Sequence, residues 1–266
     1  MEIFEAITDI GLIREKNEDA VLCLKHPRNK NIKLLLVADG MGGKNYGDRA
    51  ANYVVNSIGK WFKEKELKII NDTELTEKLL KRYIKSLNTR LINKYGENNV
   101  GTTLTMALIN LKETLIINVG DSRTYIYKRK KLIQITEDDA DVWMYYKYGG
   151  VKKDDLRFFA INNVINACIG INNDLCRITT TIIKNNYDMI LLFSDGVTDM
   201  ITDKKIISLI SKTPKDKLLN KIINEAVNVN QNFHVPLRLK RKYKLNYIVP
   251  FKGRDNASGA IYIRNA

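Results

Sequence analysis

Leu34-Leu35-Leu36-Val37-Ala38-Asp39-Gly40-Met41-Gly42-Gly43 is an apolar run that stops abruptly at an acid and three glycines within four residues. The run reads as a short buried strand bounded by a breaker cluster. Asp39 then stands where a strand leaves the core, which gives a site residue rigid support. The glycines let the backbone turn sharply and come close to a ligand. A near copy follows in Met189-Ile190-Leu191-Leu192-Phe193-Ser194-Asp195-Gly196, where an apolar strand again delivers Asp-Gly. The stretch Leu115-Ile116-Ile117-Asn118-Val119-Gly120-Asp121-Ser122-Arg123 is a third version, and Asp255-Asn256 precedes the last apolar run. A single Asp-Gly would be read as a hairpin turn. Four acids, each at the edge of an apolar strand, are read instead as hard oxygen ligands for a divalent cation. Spacing alone does not show that they meet, because they lie far apart in the chain.

At 266 residues and 44% hydrophobic content, the chain can bury a substantial core and is globular rather than disordered. No apolar run approaches the roughly 18 residues of a transmembrane helix. Met1-Glu2-Ile3-Phe4-Glu5 is acidic and has no signal-peptide pattern. Cys23, Cys168 and Cys176 lack zinc-ligand spacing and are read as reduced thiols, so the expected location is cytoplasmic. The net charge of +14 raises nucleic acid as a partner, but the lysines are dispersed and no recognition motif accompanies them. The densest basic segment, Arg238-Leu239-Lys240-Arg241-Lys242-Tyr243-Lys244, is read as a solvated loop that could hold an acidic partner. Gly40-Met41-Gly42-Gly43-Lys44 is not a P-loop, because its spacing is wrong and Asn45 stands where Ser or Thr is required.

Taken in order, residues 3–8 and 20–25 are the expected first strands, joined by a polar connection that carries Arg14, Glu18 and Asp19. Ala50, Ala51, Val54, Val55, Ile58, Trp61 and Phe62 recur at helical spacing and predict a helix over 47–63. Residues 64–72 are expected as a loop, and 73–95 as a second helix with Leu75, Leu79, Tyr83, Leu87 and Leu91 on its apolar stripe. From Gly101 the pattern turns to strands at 101–109, 113–119, 123–128 and 131–135, expected to pair as an antiparallel meander. Residues 136–170 are irregular, with a helix opening at Thr136-Glu137-Asp138-Asp139 and broken by Gly149-Gly150. Strands are expected at 176–184 and 188–194, helices near 203–211 and 215–228, and a last strand at 258–264. Residues 229–254 are basic and poorly patterned. Strand runs with helices grouped between them argue for one α+β domain over 1–266, with a doubly wound parallel sheet as the runner-up.

Together these pieces resemble the PPM-type, protein phosphatase 2C-like, metal-dependent protein Ser/Thr phosphatases in their compact bacterial form. The resemblance rests on Gly11-x-x-Arg14-x-x-Asn17-Glu18-Asp19, on Val37 to Gly43, and on Gly101-Thr102-Thr103. It continues through Gly120-Asp121-Ser122-Arg123-x-Tyr125, Leu132-x-Gln134-x-Thr136-x-Asp138 and Asn163-Val164-Ile165-x-x-x-x-Gly170. Ser194-Asp195-Gly196-Val197-Thr198-Asp199 and Asp255-Asn256-Ala257-Ser258 complete the set in family order.

The resemblance implies an α-β-β-α sandwich of two antiparallel sheets, and two or three Mn²⁺ or Mg²⁺ ions. It places Asp39 as the bridging ligand with the Gly40 carbonyl beside it, Asp195 and Asp255 at a second ion, and Asp121 with Asp195 at a weaker third. Glu18 would act directly or through water, Asp19 and Asn256 would support from behind, and Arg14 would hold substrate phosphate. The implied activity is hydrolysis of phosphoserine and phosphothreonine in proteins by a metal-bridging hydroxide. The alternative is an inactive relative that only binds phosphoproteins. Phosphorylated proteins, and through them a cognate Ser/Thr kinase, are the implied partners of a monomer. Three departures stand out: Met41 where some members carry His, Asp138-Asp139-Ala140 in place of Asp-His-Ser, and Ser258 for Thr. The segment 143–170 corresponds to the family's flap, and 229–254 is a basic insertion.

Overall fold

The run through Leu34 forms the end of a strand with both faces covered, which explains why it is continuously apolar rather than alternating. The structure is a computed structural model that describes residues 2–41, 46–159, 165–174, 176–229, 231–235, 237–243, 248–251 and 255–264. Two five-stranded sheets dominate the described residues. Their strands are β1 (Ile3–Asp9), β2 (Ala20–His26), β3 (Asn29–Ala38), β4 (Leu104–Ile109), β5 (Glu113–Val119), β6 (Arg123–Lys128), β7 (Lys131–Gln134), β8 (Thr179–Lys184), β9 (Met189–Phe193) and β10 (Ala257–Ile263). One sheet runs β1-β10-β9-β6-β7 and the other β8-β5-β4-β3-β2, and every neighbouring pair is antiparallel.

Alternation along each strand divides the core into layers. Leu35 and Val37 of β3 meet Ile190 and Leu192 of β9 and Ala260 of β10 between the sheets. Leu34, Leu36 and Ala38 point the other way, onto helices α1 (Gly47–Glu64) and α2 (Thr73–Tyr95). Beneath the other sheet, Leu191, Phe193 and Ile261 pack on α3 (Asp203–Lys212) and α4 (Leu218–Val227). The result is the expected α-β-β-α sandwich.

Several details differ from the sequence reading. The meander breaks after β5: β6 leaves that sheet and pairs with β9 and β7 in the other. Gly120, at φ +98°, makes the crossing, since other residues rarely adopt that conformation. The stripe of α2 is rotated from the one expected, with Leu80, Ile84, Leu87 and Leu91 buried and Leu75 39% exposed. Leu75, Leu79 and Tyr83 satisfy the same period, so periodicity could not separate the two faces. The expected loop 64–72 contains a helical turn at Leu67–Ile70, and the first helix after Thr136 is Trp143–Lys147. Residues 176–178 lie outside β8, and Gly101–Thr102 pairs with Gly40–Met41 as a separate short ladder.

The described parts of the basic segment 229–254 carry more secondary structure than its composition indicates. Gln231–His234 pairs with Ile248–Phe251, and Leu237–Tyr243 is helical. That helix packs on the 143–159 segment. Arg238 pairs with Asp155, while Lys242 Nζ and the Tyr243 hydroxyl both donate to the Gly149 carbonyl at 2.7 and 2.8 Å. The Tyr243 ring sits 5.5 Å from Tyr145 and 5.3 Å from Phe159, and Leu239 is buried in the core of that half.

At the crossing, the Arg123 guanidinium holds both carboxylate oxygens of Asp138 at 2.6–3.0 Å, and both residues are buried. Removing one partner of such a pair leaves an uncompensated buried charge, at a cost of about 3–5 kcal/mol. Asp138→Ala is therefore expected to lower the urea midpoint with an unchanged m-value. A shift of under about 1 kcal/mol, the size of an exposed ion pair, would show that water reaches Arg123 and that the pair is not an anchor.

Candidate active site

Asp39 is fixed through its backbone. The Asp39 amide donates to Thr103 Oγ1 at 2.9 Å, and its carbonyl accepts from the Thr103 amide at 2.8 Å and from Thr102 Oγ1 at 2.9 Å. Gly40 then passes so close to the start of α1 that a Cβ there would lie 2.3 Å from the Gly47 carbonyl oxygen. The Gly47 amide, at the first turn of α1, donates to Glu18 Oε1 at 3.1 Å, where the helix end favours a negative charge. Asp195 opens the helical turn Asp195–Thr198 directly after β9. Asp121 sits in the sheet-to-sheet crossing.

Asn256 holds the connection that carries Arg14. Its side-chain NH₂ donates to the carbonyls of Ile10 and Lys16 at 2.9 and 3.0 Å, and its Oδ1 accepts from the Glu18 amide at 2.8 Å. Asp19 lies behind the site, where its Oδ2 accepts from Ser194 Oγ at 3.0 Å. Arg14 Nη2 donates to Asp255 Oδ2 at 2.9 Å, an ion pair about half exposed on the arginine side.

Arg14, Glu18, Asp39, Gly40, Asp121, Asp195, Asp255 and Asn256 all line one cavity of about 210 Å³, together with Met41, Thr103 and Ile165. Larger hollows of about 560 and 800 Å³ elsewhere gather at most one carboxylate, and one of about 550 Å³ is lined by Glu137, Asp154 and Asp203 with Lys152, Lys153 and Lys204, so its acids are offset by cations. Gly42, Gly43, Asn163 and Val164, also singled out in the sequence, lie outside the described residues. Thr102, Thr103 and Ser194 were read only as strand or motif residues. Their hydroxyls in fact clamp Asp39 and Asp19, a role that β-branched and small residues in a strand do not advertise.

Electrostatics set the character of the cavity. Burial, followed by repulsion from Asp19 and Asp195, holds the Asp39 carboxyl well above the usual carboxylate range. Asp121 and Asp19 are displaced upward likewise, first by burial. Burial and then Asp255 push Asp195 up to about 7. The hydrogen bond to Asp255 raises Arg14. Asp195 Oδ1 and Asp19 Oδ1 are buried with no hydrogen-bond partner among the described residues. Mutually repelling carboxylates with unpartnered oxygens, and no histidine or cysteine in the lining, fit hard divalent cations. No three acids among the described residues are already drawn up as a closed coordination cage. Asp255 is turned onto Arg14, and like charges at this distance splay apart.

Comparison with known proteins agrees with this architecture. The family model for protein phosphatase 2C matches residues 14–224. Serine/threonine phosphatase stp of Listeria welshimeri is 29% identical over 254 residues, covering 93% of this chain and 97% of that protein. The crystal structure of serine/threonine phosphatase Stp1 from Staphylococcus aureus superposes with a TM-score of 0.80 at 26% identity, covering 100% of this chain and 96% of the other. The catalytic domain of the phosphatase PstP, in complex with two manganese ions, shares the fold at a TM-score of 0.73 and 21% identity, covering 98% and 97% of the two chains. An α-β-β-α sandwich that brings strand-end acids from both sheets into one cavity, in a chain matched by the family model over most of its length, belongs to the protein phosphatase 2C family.

Proposed function

We propose that this chain is one phosphatase domain that hydrolyses phosphoserine and phosphothreonine in proteins with the help of divalent cations. The observation that carries the reading is the meeting of Asp39, Asp121, Asp195 and Asp255 with Arg14 around one cavity. The Listeria and Staphylococcus relatives are named serine/threonine phosphatases, which supports the substrate class.

In this reading Asp39, the Gly40 carbonyl, Asp195 and Asp255 would hold the principal ions, Asp121 would join Asp195 at a third position, and Glu18 would act directly or through water. Mg²⁺ and Mn²⁺ both suit an all-oxygen set. Such ions lower the pKa of coordinated water toward neutrality and offset phosphoryl charge. The residues themselves do the rest. Arg14 leaves Asp255 and grips the incoming phosphate through its planar guanidinium. Asn256 keeps the Arg14 connection in place through its bonds to Ile10 and Lys16. Thr102 and Thr103 keep Asp39 aimed into the cavity. Asp19, through Ser194, braces the turn that presents Asp195.

The reading takes the chain as a monomer that acts in the cytoplasm on phosphoproteins, including those made by a partner Ser/Thr kinase. The three cysteines are unbridged, and among the described residues no helix is long and apolar enough to cross a membrane.

A phosphothreonine peptide assayed with Mn²⁺, with Mg²⁺ and with excess EDTA tests the proposal. Turnover should need metal and vanish in Asp39→Asn. Metal-independent turnover, or wild-type rates in Asp39→Asn, would overturn the assignment. Binding of phosphopeptide without turnover would favour the inactive alternative. Arg14→Ala should raise KM more than it lowers kcat, since it removes a phosphate contact made from binding onward. A fall in kcat alone would assign Arg14 to the transition state only.

A further expectation concerns the metal-stripped protein. A carboxyl whose folded pKa lies above its unfolded value takes up a proton on folding, so stability rises as pH falls through that range. With Asp195 at about 7, stability in EDTA should rise as the pH is lowered from about 8 to about 5. Asp195→Asn should raise Tm at the upper end of that range and flatten the pH dependence. A Tm lowered by several degrees would mean that the carboxylate is needed for folding.

A further inference from the structure

Helices α1 and α2 lie side by side on one face and leave a groove of about 800 Å³ between them. Four of its lining residues are charged, and all four are cations: Arg49 and Lys60 from α1, Arg90 and Lys94 from α2. Tyr53 and Tyr95 contribute most of its aromatic wall. Among the described residues Arg49, Arg90 and Lys94 have no carboxylate partner, although ion pairs are common elsewhere on these helices. Lys81 of α2, for example, meets Glu77 at 2.8 Å. Lys60 has only Glu64, at 3.9 Å and largely exposed.

Two of the cations, Arg49 and Lys94, lie against rings instead. The Arg49 guanidinium lies 4.6 Å from the centre of the Tyr46 ring, Tyr46 stacks on Tyr95 at 6.1 Å, and Lys94 Nζ lies 5.1 Å from the Tyr95 centroid. This ladder fixes charge on the groove wall without neutralising it. Arg90 and Lys94 also stand four residues apart on α2, a spacing at which like charges repel. A local rule broken without local compensation points to a role outside the folded chain.

The groove also has a defined relation to the acidic cavity. The α1 residue Gly47 is bonded to Glu18 and packed on Gly40, both of which line that cavity. Arg49 comes two residues later. From Arg49 to Lys60 the groove runs eleven residues of helix, about 16 Å at 1.5 Å per residue. That length takes about five residues of extended peptide at roughly 3.3 Å each.

We propose that the α1–α2 groove is a docking surface for an acidic segment of the phosphoprotein substrate, lying beside the residue whose phosphate enters the acidic cavity. The inference rests on the phosphatase reading above and extends it to substrate choice. An acidic peptide matches the groove in length and charge. Because the neighbouring cavity serves phosphoproteins, a protein segment is the anion brought to the groove. Exposed charges of this kind act chiefly on capture and are screened by salt.

The test uses pairs of phosphothreonine peptides that differ only in a five-residue extension, either Asp/Glu or Ser/Gly, placed before or after the phosphothreonine. In low salt the wild-type protein should show a KM about tenfold lower for the acidic member of one pair, with similar kcat, and added salt should erase the difference. Arg90→Gln/Lys94→Gln should lose that preference while its turnover of p-nitrophenyl phosphate and of the Ser/Gly peptides stays at the wild-type level. Both positions are exposed, and Lys60→Gln/Lys94→Gln serves as a second variant should the first melt early. An acidic preference that survives in both variants, or its absence in the wild type, would overturn the groove. A single-stranded oligonucleotide that outcompetes an unphosphorylated Glu-rich peptide for wild-type protein, but not for the variant, would reassign it to nucleic acid. If wild-type protein turns over no substrate, the phosphatase reading fails. Fluorescence anisotropy of the unphosphorylated Glu-rich peptide on wild type and variant then decides the groove independently.

Discussion

Four carboxylates gathered around one cavity at the end of a sandwich repel one another, and the structure around them is arranged to withstand that repulsion. The two sheets share the delivery. Asp39 ends β3 in one sheet, Asp195 follows β9 and Asp255 precedes β10 in the other, and Asp121 stands where the chain crosses between them. Asp39 and the turn that carries Asp195 are anchored by hydrogen bonds to neighbouring strands and loops. Asp39 has three bonds to Thr102 and Thr103, and Ser194 is held between Asp19 and the Ser258 amide. Burial, with repulsion added to it, therefore appears as raised proton affinity at Asp39 and Asp121. Gathering like charges in this way lowers stability as long as nothing offsets them.

The same constraint explains which cations the chain keeps near the cavity. Arg14 pairs with Asp255, the α1 amide end faces Glu18, and Arg123 is bound to Asp138 one strand away. Only the first of these is substantially exposed. Arg123 is buried and held at three short contacts, so it anchors the crossing. Two arginines near the same acids thus differ in how firmly they are fixed because they differ in burial.

Much of this was legible in the sequence, for identifiable reasons. Strands with both faces covered read as unbroken apolar runs, so Leu34–Ala38 and Met189–Phe193 announced themselves, and the acids at their ends followed. What spacing could not supply was convergence, because Asp39 and Asp255 are more than 200 residues apart. The resemblance supplied an expected partnership, and the fold brings those residues to one cavity. The β6 crossing was missed because a short Gly-containing link looks the same whether the next strand pairs with its neighbour or leaves for another sheet. The α2 stripe was misjudged because two adjacent rows of the helix are both apolar, and only tertiary packing chooses Leu80 and Ile84 over Leu75.

The basic insertion shows why composition is a poor guide to order in a segment that docks. The Leu237–Tyr243 helix is short and carries several cations, and helices of that length are marginal in water on their own. It is stabilised by what it touches. Leu239 enters the core, Tyr243 fits between Tyr145 and Phe159, and three polar contacts reach Asp155 and Gly149. None of these partners is near in sequence, so no local pattern could reveal them. The dependence also runs the other way. The 143–159 segment has only short helical pieces of its own, at Trp143–Lys147 and Lys153–Phe158, and draws much of its packing from the insertion. A few residues further on, Ile165 lines the acidic cavity, and the Asn166 amide bonds to the Asp139 carbonyl. Ile165 is thus tied to the Gly120–Asp139 crossing through the neighbouring Asn166, while the basic helix packs on Tyr145, Gly149, Asp155 and Phe159.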